Sequence, residues 1–121
     1  MFDLSPDEAR LLLNVAMMAV GQNSFKSADK ILTALEQYRP DDVALITTRA
    51  VMLISMQEFQ KAVDYIDRVG LPKHPDAAML QAFKGMALLR MNLQNAARQP
   101  LEAAANSSDS AAAKLAKDLL S

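Results

Sequence analysis

The tetrapeptide Phe25-Lys26-Ser27-Ala28 returns as Phe59-Gln60-Lys61-Ala62 and again as Leu93-Gln94-Asn95-Ala96, each step being 34 residues. Working outward, the same period links Met18, Met52 and Met86, then Leu12, Ile46 and Leu80, then Leu35, Val69 and Ala103. Pro40 closes the first unit, and Pro75 closes the second one residue late. Columns that keep both a period and a size class mark a repeat architecture. In such a chain each unit is one supersecondary element that cannot bury its apolar face alone.

Composition says what the element is made of. Of 121 residues 51% are apolar, with 21 Ala, 17 Leu and 8 Met, against 13 β-branched residues and 8 Gly plus Pro. That balance favours helix over strand. Each period therefore reads as two helices. The first opens with Ser5 as N-cap, Pro6 at the first helical position and Glu8 completing a capping box. It runs to about Val20 and stops at Gly21, suited to a left-handed cap. Its partner, about 24–38, lines Phe25, Ala28, Ile31, Leu32 and Leu35 along one face. The remaining helices are expected at about 41–55, 59–69, 76–91, 93–105 and 109–120. The last puts Ala112, Leu115, Ala116 and Leu119 on one side, as a terminal cap would. Pro100 lies inside the sixth helix, where a kink or break is expected because the ring clashes with the carbonyl of Ala96.

The pattern resembles the tetratricopeptide repeat, a 34-residue helix–turn–helix. Ala28, Ala62 and Ala96 match the family's small position on the second helix, and Phe25, Phe59 and Leu93 its bulky position three residues earlier. On the first helix its large and small residues are met by Leu12 and Ala16, then Ile46 and Ala50. In the third unit Leu80 is followed by Lys84, with Gly85 one place late. The resemblance implies an all-α, right-handed α-solenoid spanning residues 1–121 as one domain. Its units would fall at about 5–40, 41–75 and 76–106, with the capping helix at about 109–120.

In that family the first helices line a concave groove that holds peptides or helices. The mapping implies a wall of Arg10, Leu13, Met17 and Val20, then Ala44, Thr47, Val51 and Ile54, then Ala78, Gln81, Gly85 and Leu88. The wall is apolar, and a helix apolar nearly all round must be covered by something. Co-chaperones of the family that grip C-terminal carboxylates use Lys, Arg and Asn at places held here by Leu13, Met17, Thr48, Ala78 and Ala82. An amphipathic helix suits a Met-containing groove better. On this mapping, Asp at Val51 or Ile54 abolishes partner binding and leaves the melting temperature alone.

Other chemistry has little to build on. Thirteen basic and fourteen acidic side chains give a net charge of −1, without the basic excess of a nucleic-acid binder. There is no Cys, and His74 is the only histidine, in the connector Gly70-Leu71-Pro72-Lys73-His74-Pro75. No metal site, nucleophile–base pair or phosphate loop is expected, hence no cofactor and no enzyme. The N-terminus Met1 to Glu8 is acidic where a secretory signal is basic. The apolar stretch Leu11 to Val20 is too short to span a bilayer. A cytoplasmic protein is expected.

The format also resembles the small cytoplasmic chaperones of bacterial type III secretion, above all the needle-subunit chaperone class and its plant-pathogen relatives. Residues 27–40 and the terminal helix after Ser107-Ser108-Asp109 carry that likeness. It implies that the groove sequesters an amphipathic helix of a secreted, self-polymerising subunit, with a second small helical co-chaperone as a further partner. The alternatives are a general tetratricopeptide adaptor and a self-associating module, a homodimer in which two chains cover each other's grooves.

Overall fold

The computed structural model describes residues 4–121; Met1, Phe2 and Asp3, which begin the acidic stretch, lie outside them. The described residues are all-helical, without a strand. Helices α1 (Pro6–Gly21) and α2 (Phe25–Tyr38) pack together, as do α3 (Val43–Ser55) and α4 (Phe59–Tyr65). A π turn, Ile66–Gly70, prolongs α4 into the short α5 (Leu71–Lys73). Helix α6 (Ala78–Arg90) pairs with α7 (Gln94–Ala105), and α8 (Ser110–Leu120) lies on both.

Local chemistry sets the ends. Glu8 N–H donates to Ser5 Oγ (3.1 Å) while Ser5 N–H donates to Glu8 Oε1 (3.0 Å), the reciprocal box expected from sequence. Asp42 caps α3 and Asp109 caps α8 through their carboxylates. Each long hairpin then turns in the same way. Asn23, Gln57 and Asn92 adopt positive φ (61°, 64° and 66°). Around them Ser24, Glu58 and Leu93 donate back to the carbonyls of Ala19, Leu53 and Leu88, closing a Schellman motif. The left-handed residue is thus Asn23 and not Gly21, which ends α1 as an ordinary helical residue.

These turns correct the period. From Asn23 to Gln57 the step is 34 residues, but from Gln57 to Asn92 it is 35. The N-caps Asp42 and Ala77 are likewise 35 apart. The extra residue enters between Ala62 and Ala77, the stretch that holds the π turn, where Leu71 N–H donates to Ile66 carbonyl five residues back. A π turn is how a helix absorbs one residue without breaking. The third unit is therefore displaced by one: Ala97, fully buried, occupies the place of Ala28 and Ala62, while Ala96 is exposed. Leu93 is not a plug; it is the N-cap of α7 and 45% exposed. Gly85 takes the small position of Ala16 and Ala50, so its lateness was register, not decay.

Two further expectations change. The helix of Phe59 does not stop at Val69 but runs to Lys73. Gly70 lies within it, at a close approach where a Cβ would meet Leu80 Cδ1 at 2.9 Å. Helix α7 continues through Pro100 without interruption. The carbonyl that loses its i+4 donor at Pro100 is that of Ala96, an exposed residue.

The core forms three successive clusters. Ala16, Ala28, Leu32 and Leu35 pack with Leu45 and Met52 of α3; Ile46, Ala50 and Ile66 pack with Leu80 of α6; Ala62, Ala82, Ala97 and Leu101 pack with Ala116 of α8. Polar fasteners cross the seams between hairpins. Arg49 Nη1 lies 2.8 Å from Asp29 Oδ1, and the same guanidinium donates to Glu36 and Thr33 on α2. One register further on, Lys84 Nζ lies 2.8 Å from Asp67 Oδ1.

Candidate functional site

The first helices of the hairpins, α1, α3 and α6, share a wall with two adjoining clefts. The larger, of about 410 Å³, is bordered by Met17, Val43, Ala44, Thr47, Thr48 and the start of α6 from Asp76 to Met79, with Asp109 at its edge. The smaller, of about 250 Å³, takes in Arg10, Leu13, Arg39 and Asp42 and meets the larger one at Ala44. Of the groove residues expected from sequence, Arg10, Leu13, Met17, Ala44, Thr47 and Ala78 line these clefts. Met17 is 52% exposed and Val43 40%.

Their polar atoms are mostly occupied. Thr47 Oγ1 donates to Val43 carbonyl (2.7 Å) and Thr48 Oγ1 to Ala44 carbonyl (2.8 Å), so both threonines present methyl groups. Arg10 lies 3.7 Å from Asp7, and Arg39 3.9 Å from Asp42. Asp109 accepts from Ala112 N–H at the start of α8. The larger cleft is mostly apolar, with Asp76 and Asp109 among its polar residues, whereas the smaller one, with Arg10, Arg39 and Asp42, is mixed.

Other expected groove residues are placed elsewhere. Val20 (6% exposed), Ile54 (8%) and Leu88 (6%) belong to the core. Val20 and Ile54 sit in the last turn of their helices, where the chain folds back into the second helix. Leu88 is displaced by the extra residue and matches Ala19 and Leu53, not Val20. Asp at Ile54 would bury a charge and unfold the chain before it tested binding. Val51 is half-buried against the first cluster, and Gln81 is half-buried; neither borders either of these two clefts. Sequence reasoning missed Val43, Ala77 and Met79. Met79 stands 35 residues after Ala44, and Pro75 and Gly85, each one place late, were the signal for that step. Of the residues assigned to repeat packing, Phe25 and Phe59 are half-buried and Ala28 and Ala62 fully buried.

In the connector, His74 Nε2 is hydrogen-bonded to the carbonyl of Asp41, and Lys73 Nζ lies 2.7 Å from Asp41 Oδ1. Lys73 holds the Asp41 carboxyl below the usual range, by hydrogen bond first and charge second. These contacts tie the connector to the start of α3. Among the described residues no three His, Cys, Asp or Glu side chains are arranged to hold a metal ion, and no helix is long and apolar enough to cross a membrane. Neither a family model nor a curated protein matches the chain.

Proposed function

We propose that the chain is a tetratricopeptide-like solenoid acting as a non-enzymatic, cytoplasmic protein-binding module. On this reading it is a small type III secretion chaperone that holds an amphipathic helix of a secreted subunit. The observation that carries the reading is the open wall from Met17 across Ala44 and Thr47 to Met79, whose hydroxyls are already satisfied within their own helix. Such a surface offers few unmatched donors to a polar ligand and rewards apolar side chains, each fully buried one contributing roughly 1.5–3 kcal/mol. Three or four support micromolar affinity, about −8 kcal/mol, after association costs.

The test is co-purification from the native host of a short helical polypeptide, compared between the wild-type chain and Met17→Asp. Met17 is exposed, so the variant keeps its helical signal and melting temperature while the polypeptide is lost. Retention of the polypeptide by that variant would place its binding elsewhere and sink the proposal.

A further inference from the structure

We infer, on the client-binding reading above, that the larger cleft selects an amphipathic helix whose apolar stripe is bordered by lysine or arginine. Shape fixes the stripe. Ala44, Ala78 and the methyl groups of Thr47 and Thr48 are small, and the cleft they line leaves about 410 Å³ open. Large aliphatic side chains fill such a space, and Met17 and Met79, being unbranched, adapt to their outline. An extended strand would need a row of free backbone donors and acceptors beside it. The middle turns of α1 and α3 offer none, since their backbone is bonded internally and Thr47 and Thr48 donate to it. The occupant must satisfy its own backbone, as a helix does.

Charge fixes the border. Among the described residues, the charged ones that line this cleft are Asp76 and Asp109, and both are exposed. Asp109 spends Oδ1 on capping α8. The Asp76 carboxylate has no hydrogen bond or ion pair among the described residues. Lys73, three residues earlier, is held by Asp41 at 2.7 Å. The uncapped start of α6 adds roughly half a positive charge, against two whole carboxylates. The guanidiniums of Arg10 and Arg39 belong to the smaller cleft, each beside an acid of its own. An apolar cleft with a negative rim favours cations at the edge of whatever fills it and repels acids there.

Two synthetic helical peptides test this on the purified full chain, by fluorescence anisotropy. They share one leucine stripe and differ only in its border, Lys in one and Glu in the other. The Lys-bordered peptide is expected to bind roughly tenfold more tightly in low salt, the gap narrowing as salt is raised. In the double variant Asp76→Asn, Asp109→Asn the two peptides are expected to bind within about twofold of each other. Its melting temperature holds, because Asn caps a helix as well as Asp does. Equal affinity of the wild-type chain for both peptides overturns the inference and leaves the apolar wall as the binding site. A Lys preference that survives the double variant also overturns it, because the cations are then read elsewhere. Binding of neither peptide at submillimolar concentration overturns it together with the client-helix reading.

Discussion

Gly85 and Leu101 meet where no side chain on residue 85 fits: a Cβ there would stand 2.4 Å from both Cγ and Cδ2 of Leu101. Leu101 is 1% exposed and held by the α6–α7–α8 cluster, so it has little room to retreat. Gly85→Ala gains about 1 kcal/mol of helix propensity but overpacks the crossing, which typically costs about 1–3 kcal/mol. A net loss of about 1 kcal/mol in urea unfolding is expected. In a Leu101→Ala background the sign reverses, because only the propensity gain remains. Equal effects in both backgrounds would show that the contact does not constrain residue 85.

The one-residue displacement of the third unit is tested by two neighbouring alanines. Ala97→Leu fills a site with no exposure and should cost about 1–3 kcal/mol. Ala96→Leu, on the exposed side, should stay within about 0.5 kcal/mol of wild type. The opposite ordering of the two melting temperatures would restore a uniform 34-residue period.

Gln57 holds the left-handed position that Asn23 and Asn92 hold in the other hairpins, at φ 64°. A side chain without the tolerance of Asn is strained there by roughly 1–2 kcal/mol. Gln57→Gly relieves it at a smaller cost in unfolded-state entropy, about 0.4–1 kcal/mol. A net stabilisation of about 0.5–1 kcal/mol, seen as a raised urea midpoint, is the expected outcome. Asn92→Gly should gain less.

Burial, with the Glu36 charge second, pushes the Tyr65 phenol up to about 12. The neutral phenol is therefore favoured in the folded chain relative to its ordinary value of 10.0. Its contribution to stability is fully present below that ordinary value and is lost as pH rises through the folded one. Urea midpoints of wild type should fall more steeply than those of Tyr65→Phe above about pH 10. Parallel curves would mean that Tyr65 ionises as freely folded as unfolded.

What the sequence disclosed and what it concealed have separate physical causes. The start of α1 was legible because Ser5 and Glu8 advertise hydrogen bonds that involve only nearby residues. The apolar face of α8 was legible for the same reason: its 3.6-residue spacing is local. The displacement by one was not, because a π turn has no composition of its own; Ile66 to Gly70 is an ordinary helical string. Proline and glycine misled where they were judged without their surroundings. Pro100 falls where the residue that loses its backbone partner, Ala96, is exposed, and Gly70 matters for Ile46 and Leu80 instead of for a helix end. On the candidate site, Met17 and Thr47 followed from spacing, whereas Val20 and Ile54 sank into the core at hairpin ends that spacing cannot see.

Arg49 and Lys84 also give the molecule a direction. Each cation projects from the front of one hairpin toward acids on the back of the hairpin before it. Leu11 and Val15 supply no such cation at the leading end. Transposing the hairpins would strand Arg49 without its acids and bring Val15 against carboxylates. The sequence of units along the chain is therefore encoded twice, by covalent linkage and by electrostatic matching, so a shuffled permutant would be penalised even with every apolar contact kept.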